Sequence, residues 1–510
     1  MDAFQPDNSP EPFRLLEKEM YCIDLPTAPL PGIGRILVTG ASGYIGGRLV
    51  PELLFRGYKV RIMVRSFSPE YAERWPDAEI CVADVQNKEQ LRSALKDVDA
   101  AYYLIHSLIL GPKEFALADI EGARNFRAVA GEMGLKRIIY LGGLGDVRNQ
   151  LSDHLQSRAQ VAQELGKGAV PVTVLRAAVI VGSGSASYEI MEHLVKSMRV
   201  LFIPSWAKNR CQPIAIRDVI KYLVGVLEIA ATSGQSFDIG GPDILTYEEM
   251  LKALAGLQGK KIVFLPAPFS NISIYAYITS LVTPLPEPIT KCLMESLEHE
   301  VVCQDRTIKK YLSFENISYR GAIVRALGRE EQDRIYTRWS DAYPPAHELA
   351  IKLHELSKAP GYIAGYERVS LKSAHALFDA VCRVGGKEGW FYGNWMWRLR
   401  GMADRVFLGV GSARGRKSYG ALSINDVVDF WRVENVQYNK RLLLRAEMKL
   451  PGRAWLELDI SDEGERRILR VRAYYDTASL MGKAYWYACL PFHYFLFPNL
   501  IKQIEQKAQA

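Results

Sequence analysis

Paired cysteines are missing from this chain. Its seven cysteines, Cys22, Cys81, Cys211, Cys292, Cys303, Cys382 and Cys489, include no Cys-x-x-Cys pair. That argues against a zinc site and a disulfide framework, so no metal is expected and reduced thiols in a cytoplasm are the simplest account. Also missing is an uninterrupted apolar run of the roughly 20 residues needed to cross a bilayer. The nearest approach, 485–501, is broken by Pro491, His493, Pro498 and Asn499. We expect it to form no transmembrane segment and to pack against a C-terminal sheet, with peripheral membrane contact left open. No dense Lys/Arg run accompanies the formal charge of +7 on 510 residues, which gives nucleic-acid binding little support. A Gly-x-Ser-x-Gly elbow and a His-Glu-x-x-His zinc pair are absent too. The first residues, through about Pro31, lack the basic-then-apolar order of a signal peptide and read as a tail.

What is present is an ordinary globular composition, 48% hydrophobic and 24% charged, on a chain long enough for two or three domains. The most informative stretch is Gly40-Ala41-Ser42-Gly43-Tyr44-Ile45-Gly46, directly after the apolar run Arg35-Ile36-Leu37-Val38-Thr39 and before an apolar helical stretch. It reads as strand, tight glycine turn, helix. Gly40 permits the turn, Gly43 lets backbone amides approach a pyrophosphate, and Gly46 allows close helix-on-strand packing, with the helix N-terminus facing the phosphates. Strand two is expected over Lys59–Val64, ending at Arg65, with no Asp or Glu between Gly57 and Pro69. NAD-binding relatives of this arrangement place an acid on the ribose hydroxyls there. A guanidinium instead suits a 2′-phosphate and favours NADP (NADPH) as cofactor.

Apolar strands around residues 80–83, 101–105, 137–141 and 172–176 then alternate with helical segments, the pattern of a parallel sheet covered by helices. Ligands of such sheets bind at the carboxyl ends of strands, which puts Asp84, His106, Ser107 and Gly142 near the crevice. Beyond residue 251 regular strands fade and 264–288 is dense in proline and aromatics, suggesting a helical cap. In the last 150 or so residues Leu444, Ala446, Met448 and Leu450 alternate with charged neighbours; so do Leu456, Leu458 and Ile460, and Leu469, Val471 and Ala473. These are meander strands of an antiparallel sheet, the middle pair joined through Ser461-Asp462-Glu463-Gly464, with helices near 372–384 and 482–506. The expected division is 1–33 disordered or extended tail, 34–250 cofactor domain, 251–357 helical cap and connecting region, and 358–510 a C-terminal α+β domain.

Together, Thr39 to Gly47, Gln212-Pro213-Ile214-Ala215-Ile216-Arg217-Asp218-Val219 and Phe237-Asp238-Ile239-Gly240-Gly241-Pro242 resemble the extended and atypical short-chain dehydrogenase/reductases of the NmrA-like, nucleotide-sugar-epimerase-related group. The resemblance covers about residues 34–330 and implies a doubly wound parallel Rossmann sheet. The stretches Gly389-Trp390-Phe391-Tyr392-Gly393-Asn394, Asp429-Phe430-Trp431-Arg432-Val433 and Ala446-Glu447-Met448-Lys449-Leu450-Pro451-Gly452 resemble a domain of unknown function fused to such reductases in bacteria. That domain is similar to START-like, helix-grip proteins, which enclose apolar ligands. The resemblance implies that Gly40, Ser42, Gly43, Tyr44, Ile45 and Gly46 contact the cofactor, that Arg65 reads the 2′-phosphate, and that Asp84 and Val85 border the adenine.

The family's proton chemistry uses a Tyr-x-x-x-Lys pair on the helix after strand five. Here that strand ends in Gly142-Gly143, and the helix offers His154-Leu155-Gln156-Ser157-Arg158. A histidine titrates near neutrality and can deliver a proton, Arg158 can anchor ribose or phosphate, and His106 is the rival donor. The other reading has His154 and Arg158 supporting the cofactor without turnover. Trp390, Trp395, Trp397 and Trp431 either line an apolar cavity or form core. Arg398, Arg400, Arg405, Arg414 and Arg416 either hold an anionic head group or form a solvated face paired with Asp404 or Asp429. The expectation is an NADP-dependent oxidoreductase acting on an apolar, lipid- or isoprenoid-like small molecule. A non-catalytic NADP-binding sensor or assembly protein and an isomerase or epimerase that recycles its cofactor are the alternatives.

Overall fold

Buried on both faces, Ile36, Leu37 and Val38 make β1 (Arg35–Thr39) the centre of a sheet, as a continuous apolar run requires. The computed structural model describes residues 20–65, 67, 69–106, 112–145, 152–331, 337–338, 353, 356, 358–386, 388–406, 411, 422, 426–464 and 466–508. It divides the chain into a unit spanning Leu15–Pro345 and another spanning Ala346–Ala510.

In the first unit, β1 is joined by β2 (Lys59–Val64), β3 (Glu79–Val82), β4 (Ala100–Tyr103), β5 (Arg137–Gly143), β6 (Val172–Ala177) and β11 (Ser236–Ile239) in the order β11-β6-β5-β4-β1-β2-β3. Every pairing is parallel. The expected strands and the doubly wound α/β class are therefore present. Alternate residues of β1 face opposite layers. Ile36 and Val38 pack with α1 (Gly46–Phe55), α2 (Pro69–Arg74) and α7 (Ile216–Glu228). Leu37 packs with α3 (Lys88–Leu95), α4 (Pro112–Glu132) and α5 (Asp153–Gly166). Strand order reverses between β1 and β4, which opens a crevice at their carboxyl ends. α1 runs unbroken through Pro51.

Short strands pair beside the main sheet: β7 (Ile180–Val181) with β10 (Ile214–Ala215), β8 (Val200–Ile203) with β13 (Val263–Pro266), and β9 (Arg210–Cys211) with β12 (Leu245–Thr246). Helices α6 (Ala186–Ser197), α8 (Tyr247–Leu257), α9 (Ile272–Val282), α10 (Glu287–Glu295), α11 (Ile308–Tyr311) and α12 (Tyr319–Glu331) complete the unit. Residues 20–33 form no helix or strand, yet they do not hang free. Tyr21, Cys22 and Leu25 are buried, and Glu52 on α1 accepts the backbone N–H groups of Tyr21 and Cys22 at 2.6 and 3.0 Å.

The second unit is an antiparallel six-stranded sheet, β14 (Tyr362–Ser370), β19 (Arg466–Asp476), β18 (Arg453–Glu463), β17 (Arg441–Ala446), β16 (Trp431–Gln437) and β15 (Val427–Val428), in that spatial order. Leu456, Leu458 and Ile460 stand opposite Ala473, Val471 and Leu469, the alternation read from sequence. The neighbouring strand differs from expectation: β17 ends at Ala446, before Met448 and Leu450. Glu447 there turns inward to meet Arg432 (Nε to Oε1 2.5 Å), and the chain leaves the ladder toward Pro451. Helices α13 (Ala374–Cys382), α14 (Asn394–Val406) and α15 (Leu480–Lys507) accompany the sheet. α15 buries Trp486, Leu496, Phe497, Leu500, Ile501 and Ile504, with Trp486 stacked on Tyr475. No described helix is long and apolar enough to cross a membrane.

Candidate functional site

Gly40 takes φ +65°, and a Cβ there would stand 2.7 Å from the Leu104 carbonyl oxygen. A Cβ on Gly46 would lie 2.3 Å from the Gly40 carbonyl oxygen. Only glycine fits both positions. The turn closes through Gly43 N–H to Gly40 O at 3.0 Å and continues into α1 through Gly47 N–H to Gly43 O at 2.9 Å, so the positive end of the α1 dipole lies at the turn. Strand, tight glycine turn and helix in this order is the arrangement that a dinucleotide pyrophosphate requires. Thr39 ties the two sides of the crevice together: its hydroxyl donates to Tyr102 O and accepts from Leu104 N–H, both at 3.0 Å.

Around this turn the expected contacts take different postures. Ser42 is half-buried. Ile45, the residue before α1, packs on the core. Tyr44 turns its ring under Arg48, whose guanidinium lies 4.2 Å from the ring centre, and burial pushes its phenol up to about 12. Arg65 emerges exposed from the end of β2, with Asp84 at the end of β3 as its charged neighbour. Val85 sends its side chain into the core, where a Cβ on Gly122 would come within 2.9 Å of it.

Beyond β4 and β5 the structure brings together residues that the sequence kept apart. His106 Nδ1 lies 2.8 Å from Asp119 Oδ2 on α4, and His106 Nε2 lies 3.2 Å from His154 Nε2 on α5. His154 Nδ1 is 3.1 Å from the Ser296 hydroxyl, just past α10. The imidazole rings stack with centroids 5.2 Å apart. A carboxylate only accepts, so His106 carries its proton on Nδ1 and presents a bare Nε2. In the neutral pair His154 then donates from Nε2, leaving Nδ1 as an acceptor toward the Ser296 hydroxyl, whose one proton is shared with Cys292 O at 3.2 Å. Arg158 donates to Leu141 O, stacks 4.9 Å over the Tyr140 ring and stands close enough to act on both imidazoles. Burial, His106 and Arg158 hold His154 well below the usual histidine range; burial and Arg158 also lower His106, against the opposing pull of Asp119. Both rings are therefore neutral at pH 7.

Asp119 and Ser296 carried no signal in the sequence. One sits in an ordinary helix, and the other is 142 residues from its partner. Ser107 lies outside the described residues. In the second unit Trp390 packs on Trp397 at 4.4 Å and on Trp431, and all three are buried, so they are core; Trp395 is exposed. Asp429 accepts from Trp390 Nε1, and Asp404 accepts from the backbones of Gly411 and Lys449. Arg400 donates to Cys489 Sγ and covers Tyr485. Arg414, Arg416 and the Arg405 side chain lie outside the described residues.

Comparison with known proteins follows the same division. A 3-beta-hydroxysteroid dehydrogenase of Mycolicibacterium neoaurum is 32% identical over 118 residues, 21% of this chain and 31% of that protein. NADH dehydrogenase (ubiquinone) 1 alpha subcomplex subunit 9, mitochondrial, of Arabidopsis thaliana is 24% identical over 266 residues, 49% of this chain and 66% of that protein. The chain spans about a third of the length of the first curated relatives it matches. A solved nucleoside-diphosphate-sugar epimerase from Staphylococcus aureus is 16% identical, with 57% of this chain and 99% of that one covered at TM-score 0.47. Residues 365–500 match a family described as protein of unknown function (DUF2867). Residues 33–310, more than half the chain, match the NmrA-like family, and with the glycine cradle and the parallel sheet in place the chain belongs to that NAD(P)-binding family.

Proposed function

We propose that this chain is an NADP-dependent oxidoreductase acting on an apolar small molecule, in which His154 handles the substrate proton. The observation that carries this reading is the hydrogen-bonded series Asp119, His106, His154, Ser296 at the carboxyl ends of β4 and β5. A nicotinamide dinucleotide, its pyrophosphate held at Gly40, Ser42, Gly43 and Gly46 and its adenosine 2′-phosphate at Arg65, would supply or accept hydride. The chain's own residues handle the proton. With both rings neutral, the Ser296 hydroxyl would take the proton released as a substrate hydroxyl becomes a carbonyl while passing its own to His154 Nδ1; the His154 Nε2 proton can then move to His106 Nε2, where Asp119 faces the charge. Arg158 opposes that charge, so the pair returns the proton readily. Ser296 links the pair to the helical segment after α9, where an apolar substrate would lie. The second unit, an antiparallel sheet carrying the long helix α15, suits a helix-grip domain that holds such a ligand.

The test is mass spectrometry of small molecules that co-purify with the native protein, followed by turnover of the compound found. Hydride transfer that fails in His154→Ala while NADPH still binds supports the reading. A second reading is a non-catalytic NADP-binding sensor or assembly protein. It is favoured by the engagement of Arg158 with Leu141 and Tyr140, and it takes precedence if bound NADPH reduces nothing in a broad substrate screen. An isomerase or epimerase would instead interconvert substrates with no net change in the cofactor.

A further inference from the structure

We propose that the second unit docks on the surface of an anionic phospholipid bilayer through the joint outer face of α14 and α15. This is independent of the hydride chemistry proposed for the first unit. The two helices lie side by side and antiparallel. A Cβ on Gly393 would sit 3.6 Å from Leu496, while Arg400, two turns on, reaches back to Cys489 and Tyr485.

On α14 the side chains Trp395, Leu399, Met402 and Val406 recur at the spacing of one helical face, and each is more than half exposed. On α15 the same holds for Met481, Phe492 and Phe495, while exposed Tyr487 lies on the flank that meets Tyr362 of β14. From Ala484 to Ile501 the helix contains no Asp, Glu, Lys or Arg. Between the helices runs an open apolar groove of about 580 Å³, bordered by Trp395, Met396, Phe492 and Phe495. The opposite side of α15 is already used, with Trp486, Leu496, Phe497 and Leu500 buried. The apolar outer face is therefore not required by the unit's own core.

Charge selects the partner. Residues 346–510 contain 25 Lys and Arg against 17 Asp and Glu, a net +8, whereas residues 1–345 sum to −1. Exposed Arg398, Lys483 and Lys502 stand on the two helices, and Lys507 lies 4.5 Å over the Phe391 ring. The acids nearby are engaged: Glu505 with Arg368, and Asp404 with the Gly411 and Lys449 backbones. Aromatic and aliphatic side chains on one face with basic residues at its margins describe a helix that lies in a bilayer interface. α15 is not apolar enough to span. Anionic head groups would meet the lysines and arginines while Phe492, Phe495 and Trp395 enter the acyl boundary.

The experiment is co-sedimentation of the full chain with phosphatidylcholine vesicles and with phosphatidylcholine–phosphatidylglycerol vesicles. Binding to the anionic vesicles, weakened by salt and reduced roughly tenfold or more by Phe492→Ser with Phe495→Ser, is the expected result. Both side chains are exposed in the free protein, so the variant keeps the core; Trp395→Ser provides a second, independent reduction. Val324→Ser, an exposed apolar position in the first unit, should leave binding unchanged. No sedimentation with either vesicle, equal binding to neutral vesicles, or indifference to the α14 and α15 substitutions would overturn the proposal. So would a dimer in sedimentation velocity that is lost in Phe495→Ser without any vesicle binding, since the face would then belong to a second copy.

Discussion

His154 sits in a balance of three forces: desolvation, the neighbouring His106 ring and the Arg158 charge all resist its protonation. An imidazole in this state is unprotonated, and so able to accept a proton, through neutral pH and loses that capacity only in acid. In the oxidative direction we expect kcat/KM to be flat between pH 7 and 8 and to fall below the unperturbed value of about 6.5, the midpoint lying under it. His154→Ala should lower turnover by something like the 10²–10⁴-fold of a lost general acid or base, with NADPH affinity nearly unchanged in fluorescence titration. Asp119→Ala should remove the acceptor that fixes the His106 tautomer, and Asp119→Asn should remove only its charge; both should shift the pH profile, which a purely structural role would not do. Arg65 makes the residue-scale claim for the cofactor. Because a hydrogen bond to a charged group is worth about 1.5–3 kcal/mol, Arg65→Ala should weaken NADPH roughly tenfold or more while sparing NADH, read by competitive titration. Equal affinity for the two cofactors in the unaltered protein would remove that role.

At the scale of elements, α1 serves two neighbours. Its N-terminus closes the glycine turn, and its middle holds the incoming chain through Glu52. The Glu52 carboxyl is fully buried and raised by that burial, with the Tyr21 and Cys22 N–H groups pulling it back down. Glu52→Ala would leave two buried N–H groups without acceptors. We expect a loss of about 1–3 kcal/mol per unsatisfied group, and hydrogen exchange at residues 20–33 that approaches the unprotected rate. Glu52→Gln keeps an acceptor oxygen and should fall between. At the other end, Gly46→Ala drives a methyl into the Gly40 carbonyl, backbone against backbone, so the turn must open. NADPH binding should disappear while circular dichroism shows the sheet intact. Retained binding would mean that the turn is not the phosphate cradle.

For the whole molecule, pH is the common probe of both units. A histidine whose folded pKa lies below its unfolded value of about 6.5 takes up a proton on unfolding, so below 6.5 the unfolded chain binds more protons and stability falls with pH. His154 and His106 make this contribution in the first unit. His493, lowered to about 4 by burial and Arg400, makes it in the second, across the window from 6.5 to about 4. Thermal unfolding should therefore move to lower temperature from pH 7 to 5, and His493→Phe should flatten the part that belongs to the second unit. The parallel sheet, the glycine turn, the pairing of β18 with β19 and the long helix α15 were legible in the sequence, because hydrophobic period and turn chemistry are written in adjacent residues. His154 and Arg158 were legible as a pair for the same reason: four residues apart on a helix, they share a face. Nothing local marked Asp119 or Ser296, showed that Glu52 would hold the first described residues, or separated exposed Trp395 from buried Trp390 and Trp397. Those outcomes depend on which distant surfaces meet and exclude water, and only the tertiary structure, which buries His154 against His106 and Arg158 and holds it well below the usual histidine range, decides them.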